Sequence, residues 1–200
     1  MESFIREGLH IVNEIPVQDM KYIDHAILNN TPEDSFTLIG EGGSGRVYKY
    51  KKYAIKIFHD YVIEGNEDNP LHPPDGHYLS LLDRSPYFPS VYFYIDQHYM
   101  VAEFIDGKSI YDVDSHIFVR CISQLRDAVI HAFLRGLIAS DLIDANIIIS
   151  SKNNTPVIVD VGCFYPISYD EEIERLSEEY FRRYGDKILL DVIEKRIEPR

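Results

Sequence analysis

A glycine-rich stretch between two strand-like runs is the feature that most constrains the fold of this chain. The runs cover residues 35–39 and 47–50, and the glycines between them follow the pattern GxGxxGxV. Because residues 46–50 are rich in β-branched and aromatic side chains, a helix is not expected to begin there, as it would in a dinucleotide-binding fingerprint. The stretch therefore predicts a β-hairpin that lies over the phosphates of a nucleotide.

A lysine in the next strand-like run completes this pattern. Residues 53–56 read Tyr-Ala-Ile-Lys, and a lysine so placed can bind phosphate oxygens. The nucleotide-binding residues predicted from both parts are Gly40, Gly42, Gly43, Ser44, Gly45, Val47, Ala54 and Lys56.

Length and composition indicate one compact domain. With 200 residues and 45% hydrophobic content, the chain can bury a substantial core. No apolar run approaches the roughly 20 residues of a membrane span, and no secretory signal is visible, so we expect a cytoplasmic location. Cys121 and Cys163 form no CxxC pair, and we predict that both are reduced thiols in the core.

The net charge of −13 limits the partners of the chain. A nucleic-acid-binding protein needs a basic face, and an anionic membrane would repel an acidic surface, so neither is expected as a partner. A nucleotide remains compatible, because Mg²⁺, a lysine and backbone N–H groups can hold it within an acidic protein.

The first half of the chain predicts mainly strands. Helical spacing at Ile5, Leu9, Val12 and Ile15 indicates an N-terminal helical extension over residues 1–34. The strands and turns that follow are three strands over 35–58, a turn-rich insertion over 64–76, the end of a helix over 77–82, and a hairpin over 91–95 and 99–104.

The second half predicts mainly helices. Apolar residues at Ile117, Cys121, Leu125, Ala128 and Ala132 share one face of a long helix that Gly136 ends. Two short strands follow at 147–149 and 157–159, and residues 171–197 are rich in helix formers with a break at Gly185. Strand-rich residues before helix-rich ones indicate an α+β fold.

Three polar residues near these short strands suit phosphoryl transfer. Asp141 can orient or deprotonate an acceptor hydroxyl, and Asn146 can bind a Mg²⁺ ion through its amide oxygen. Asp160, which follows the second strand, can bridge metal ions on the β- and γ-phosphates.

At this point the chain resembles the protein-kinase-like superfamily. The order of glycine loop, lysine, D-x-x-x-x-N and D-x-G matches its signature set over roughly residues 35–165. The resemblance implies a two-lobed α+β fold. A β-sheet N-lobe would cover 35–104, a hinge would lie at about 103–107, and a truncated, mainly helical C-lobe would cover 105–200.

The resemblance also implies a role for each motif residue. Lys56 would hold the α- and β-phosphates of ATP, Asp141 would be the catalytic aspartate, and Asn146 and Asp160 would bind Mg²⁺. The Glu103 carbonyl and the Ile105 N–H would meet the adenine edge, beside Ala102 as a small gatekeeper.

The chain also departs from the kinase pattern. Ala139 and Ser140 replace the usual His-Arg before the catalytic aspartate, Ile143 replaces a lysine that contacts the γ-phosphate, and Val161 replaces the phenylalanine of D-F-G. No A-P-E motif follows. The chain is thus similar in size to the small kinases among bacterial effectors, which would allow delivery to a host cytosol by a non-cleaved signal.

The expected function is transfer of phosphate from Mg-ATP to serine or threonine of an unidentified protein substrate. The short C-terminal part adds the hypothesis of an activating protein that docks there. Two alternatives stay open: a pseudokinase that binds without efficient transfer, and a small-molecule phosphotransferase of the aminoglycoside- or choline-kinase type.

The acid that pairs with Lys56 is left open by the sequence. Asp75 has the spacing of a helix face shared with Leu79 and Leu82, but it follows two prolines and is a methylene shorter than glutamate. Glu64 and Glu67 are the competitors, and the absence of any partner is the remaining possibility.

Overall fold

The computed structural model describes residues 8–59, 75–96, 98–167, 186, 189–190 and 192–193. Most of the predicted insertion, the candidate acids Glu64 and Glu67, and most of the predicted C-terminal helical stretch lie outside these residues. The described chain is a mixed α+β structure that divides into two compact units. The first comprises Met1–Ser80 and Ser90–Phe104, and the second comprises Leu81–Pro89 and Ile105–Arg200.

A six-stranded antiparallel sheet forms the centre of the first unit. Its strands are β1 (Leu9–Ile11), β2 (Thr37–Gly42), β3 (Gly45–Tyr50), β4 (Tyr53–Phe58), β5 (Val91–Ile95) and β6 (Tyr99–Glu103). Their spatial order is β1-β5-β6-β4-β3-β2. The predicted three strands over 35–58 and the hairpin over 91–104 are confirmed.

The N-terminal extension differs from the predicted helix in one respect. Residues 9–11 form β1 and pair with β5, with Leu9 opposite Ile95. The helical spacing at Leu9, Val12 and Ile15 was therefore a wrong indication, because none of the three lies in a helix and pairing with a strand distant in sequence outweighed weak local periodicity. Two helices follow, α1 (Val17–Leu28) and α2 (Pro32–Ser35).

Helix α1 covers one face of the sheet. Strand residues alternate between the two faces, so Ile55 points toward α1 and meets Met20, Ile23 and Ala26 within one buried cluster. The buried Asp24 carboxylate of α1 accepts a hydrogen bond of 2.7 Å from the Tyr99 hydroxyl, so its burial is compensated.

The opposite face carries Lys56. Val47 and Met100 lie directly across from it on the neighbouring strands, and Tyr94 lies across from Met100. Helix α3 (Asp75–Leu81) lies near this face, and its residues Asp75 and Gly76 are buried. Both residues were predicted to belong to the turn-rich insertion, so that prediction was wrong for them.

The second unit contains a long helix and short strands. Helix α4 (Ser115–Leu134) buries Cys121, Leu125, Ala128 and Ala132 as predicted, and Gly136 follows its end with φ of +82°. The strands are β7 (Gly107–Ser109), β8 (Leu137–Ile138), β9 (Ile147–Ser150), β10 (Pro156–Ile158) and β11 (Tyr165–Pro166). They form the pairs β7–β9, β9–β10 and β8–β11.

Neither cysteine forms a disulfide, and only Cys121 lies in the core. Cys163 is exposed, so the prediction that both are core residues was wrong for it. Within the described part of the chain, no helix has the length and apolar character needed to cross a membrane.

Candidate functional site

The glycine-rich hairpin contains glycines of two kinds. Gly45 is required by packing, because an added Cβ would lie 2.2 Å from the Ile57 carbonyl oxygen of the adjacent strand. At Gly40, Gly42 and Gly43 an added Cβ would meet no atom of the described residues within 4 Å. None of these three has the positive φ that favours glycine, so neither packing against the described part of the chain nor backbone conformation accounts for them.

The tip of the hairpin is tied to β4 by His59. Its backbone N–H donates to the Ser44 carbonyl at 3.1 Å, and its Nε2 lies 3.3 Å from the Gly42 carbonyl oxygen. Since a carbonyl can only accept, that ring nitrogen carries the proton. The sequence analysis missed His59, because only the pairing of β3 with β4 reveals that it lies beside the tip.

Arg46 braces the hairpin one residue pair from its tip. Its Nε donates to Glu41 Oε1 at 3.1 Å, and its Nη1 donates to Glu33 Oε1 of α2 at 3.2 Å. The Tyr48 hydroxyl donates to the same Glu33 oxygen at 2.9 Å. Bonds from the Glu33 backbone and from Tyr48 lower the pKa of Glu33, with a smaller contribution from Arg46. Glu33 of the N-terminal extension therefore holds strand β3 of the hairpin, a role that no local motif indicates.

Lys56 and Asp75 form a buried ion pair. The lysine Nζ donates to Asp75 Oδ2, and each side chain is 5% exposed. Of the three acids considered from the sequence, Asp75 is therefore the one that the described structure pairs with Lys56. An isolated buried ammonium would be strongly destabilising, so the carboxylate keeps Lys56 charged at this position.

Small side chains lie beside this ion pair on the same face of the sheet. Ala54 is directly opposite Ala102, two positions along their strands from Lys56 and Met100. Val47 lies on this face as well, and small apolar side chains of this kind suit contact with an aromatic base. Glu103 is the last residue of β6, and Ile105 belongs to the second unit. Their predicted backbone contacts to adenine stay predictions.

In the second unit, Asp141 has an unusual backbone conformation. Its φ is +55°, in the left-handed region that aspartate and asparagine tolerate better than other side chains with a Cβ. The Ile143 N–H donates to the Asp141 carbonyl at 2.9 Å and closes a tight turn. Such conformations are concentrated at functional sites.

Asn146 holds this turn in place. Its Nδ2 donates to the Asp141 carbonyl at 2.9 Å and to Asp141 Oδ2 at 3.2 Å. Both of these partners are acceptors, so they fix the orientation of the amide and direct its Oδ1 away from Asp141. That oxygen is the Asn146 atom that can ligate a cation.

Asp160 lies at the same end of the β9–β10 hairpin. The Val159 N–H donates to the Asn146 carbonyl at 2.9 Å and so extends the strand pairing by one step. The Gly162 N–H donates to Asp160 Oδ1 at 3.0 Å and fixes the carboxylate. The fold therefore brings Asp141, Asn146 and Asp160 together within the second unit.

These oxygen atoms suit Mg²⁺ bound together with phosphates. Within the described residues, no group of three or more His, Cys, Asp or Glu side chains could hold a metal ion. Mg²⁺ in nucleotide sites commonly uses only one or two carboxylates and takes its other ligands from phosphates and water. Asn146 and Asp160 match that requirement in ligand type.

Comparison with models of known protein families found no match for this chain. Comparison with curated proteins likewise found no relative.

Proposed function

We propose that the chain is an ATP- and Mg²⁺-dependent phosphotransferase with a kinase-like two-lobed fold, which acts on serine or threonine of a protein substrate. The observation that carries this proposal is the combination of Gly40, Gly42 and Gly43, which no contact among the described residues requires, with the buried Lys56–Asp75 pair of the same unit. Glycines without a packing role allow the close approach of a ligand to backbone N–H groups.

Each unit has a separate role in this proposal. In the first unit, the hairpin N–H groups and Lys56 bind the phosphates, and Asp75 keeps Lys56 charged. In the second unit, Asp141 orients the acceptor hydroxyl and accepts its proton, while the hydroxyl oxygen bonds to the γ-phosphorus and ADP departs. Asn146 and Asp160 would hold Mg²⁺, which neutralises phosphate charge when bound.

The substitution Asp160→Ala tests this assignment. We expect it to abolish Mg-ATP turnover without unfolding the protein, because loss of the partly buried hydrogen bond from the Gly162 N–H costs only about 1 kcal/mol. The exposed Asp114 of the same unit, whose side chain caps no backbone group, offers the matched control Asp114→Ala. Full turnover in Asp160→Ala would contradict the proposal, as would an equal loss in the control.

Binding without transfer is the second candidate function. The turn that holds Asp141 carries Ile143 where serine/threonine kinases commonly have a lysine. Ile143 contributes only backbone groups to that turn, because its N–H donates to the Asp141 carbonyl and its carbonyl accepts from the Asn146 N–H. Thermal melting with and without Mg-ATP, followed by a turnover assay, separates the two functions. A raised melting temperature with no turnover would favour the pseudokinase.

A further inference from the structure

Helix α3 lies unusually close to strand β5 at Gly76. A Cβ added to Gly76 would be 2.5 Å from Cγ, 2.6 Å from Cβ and 2.8 Å from Cδ1 of Tyr94. Non-bonded carbon atoms prefer separations of about 3.5–4.0 Å. Any residue with a Cβ at this position would therefore require the helix or the ring to move by about 1 Å.

The Tyr94 ring is held from another side as well. It stacks on His10 with ring centroids 4.5 Å apart and an interplanar angle of 14°. His10 Nε2 is in turn 2.8 Å from Asp96 Oδ2. The clashing atoms are at the base of the Tyr94 side chain, next to the backbone of an inner strand of the sheet, so rotation of the ring would not remove the clash. The helix is the element that would move.

Movement of the helix would change the neighbouring ion pair. Asp75 precedes Gly76 in the same helix, and its carboxylate accepts a hydrogen bond from Lys56 of strand β4. Aspartate is shorter than glutamate by one carbon–carbon bond, about 1.5 Å. That difference is similar to the movement of about 1 Å that a Cβ at position 76 would cause.

We propose that Gly76 is a positioning residue, whose missing side chain brings α3 close enough to β5 for the short carboxylate of Asp75 to reach Lys56. This inference rests on the proposed function, in which Lys56 binds the phosphates of ATP. It makes a reciprocal prediction: a longer acid at position 75 should suit a helix that has been pushed away by a side chain at position 76.

The test compares Gly76→Ala, Asp75→Glu and the double variant with the wild type. The readouts are thermal melting without nucleotide and Mg-ATP turnover with kcat and KM separated. Alanine favours a helix over glycine, so helix propensity alone would raise the melting temperature of Gly76→Ala. We expect a lower melting temperature and about a tenfold loss of kcat/KM instead, because the ion pair is broken.

The double variant decides the proposal. We expect its kcat/KM to return to within about twofold of the wild type, whereas Asp75→Glu alone is impaired because the longer acid does not fit the unshifted helix. The control His77→Ala, at an exposed position of the same helix, should match the wild type in both readouts.

Two other outcomes have separate meanings. If Asp75→Glu restores neither melting temperature nor turnover in the Gly76→Ala background, the positioning role is overturned. If melting recovers in the double variant but no form of the protein binds or turns over Mg-ATP, the proposed function fails, while the control of the Asp75–Lys56 contact by Gly76 is supported.

Discussion

The two groups of candidate site residues are built in opposite ways. Lys56 and Asp75 are 19 residues apart in sequence, are both buried, and meet only because a helix packs on a sheet. Asp141 and Asn146 are five residues apart, and the hydrogen bond between their side chains is exposed. A buried pair supports the fold as well as the chemistry, whereas an exposed local turn supports mainly the chemistry.

The largest effect is expected for Asp75→Ala. It leaves the Lys56 ammonium buried without its carboxylate, which should lower the free energy of unfolding by about 3–5 kcal/mol. Urea denaturation measures this loss, and Mg-ATP turnover should disappear with it. A loss below about 1 kcal/mol would mean that the pair does not behave as a buried one.

Two further variants separate stability from function at this pair. The double variant Lys56→Met with Asp75→Leu should recover most of the stability but none of the turnover, because apolar residues can replace a buried ion pair without loss. Lys51→Ala is the matched control, since Lys51 is 56% exposed in its pair with Asp19. It should change stability by no more than about 1 kcal/mol.

The next effect compares two glycines of the same hairpin. Gly45→Ala should destabilise the first unit by about 1–3 kcal/mol, because its Cβ would collide with the Ile57 carbonyl. Gly43→Ala should leave the urea midpoint unchanged yet weaken Mg-ATP binding, since its Cβ enters space that is open in the fold. Isothermal titration measures the binding. Equal affinity in Gly43→Ala and the wild type would contradict a nucleotide at this tip.

Asn146→Ala extends the comparison to the second unit. It removes two exposed hydrogen bonds to Asp141 and one amide oxygen, so stability should fall by about 1 kcal/mol or less. The Mg²⁺ concentration for half-maximal turnover should rise by about 10- to 100-fold. Asn153→Ala, at an exposed turn of the same unit, serves as the control. An unchanged Mg²⁺ requirement would remove Asn146 from the metal site.

A smaller effect is expected for the second unit, whose stability should fall at low pH because of His131. Burial, with a contribution from Arg135, lowers the pKa of His131 below its usual 6.5, and its buried Nε2 has no hydrogen-bond partner among the described residues. An imidazole that resists protonation in the folded state gives stability that is present above pH 6.5 and is lost as pH falls below it. In His131→Leu, the urea midpoint should therefore change less with pH between about 6.5 and 5 than it does in the wild type. An identical acid dependence in both proteins would argue against this role.

The smallest expected effect is a loss of stability at high pH in the first unit, in contrast to the loss at low pH expected for His131. Burial and the hydrogen bond to Asp19 raise the pKa of Tyr53 to about 12 from 10.0. The folded state therefore keeps a proton that the unfolded chain releases, and the stabilisation is present below pH 10 and lost as pH rises toward 12. In Tyr53→Phe, the urea midpoint should fall less steeply as pH rises above 10 than it does in the wild type. A slope equal to that of the wild type would contradict the raised pKa.

Long, regular elements were predictable from the sequence, and short or paired ones were not. The helix that buries Leu125 and the strands around the glycines carry clear periodicity, so their positions were predicted. Strand β1 has only three residues and exists because β5 is beside it. His59 and Glu33 were missed for a related reason, since neither belongs to a motif and both act through residues brought near by the sheet.

The sequence by itself determined the chemistry that this chain can offer: a glycine-rich hairpin, a strand lysine, and an Asp-Asn-Asp set near two short strands. These features are local, because spacing along the chain decides them. Only the tertiary structure decided that Asp75 is the partner of Lys56, that Gly45 is structural while its neighbouring glycines are not, and that Gly76 allows the close approach of α3. Those facts depend on atoms that meet across the sheet, and such contacts are set by packing between elements far apart in sequence.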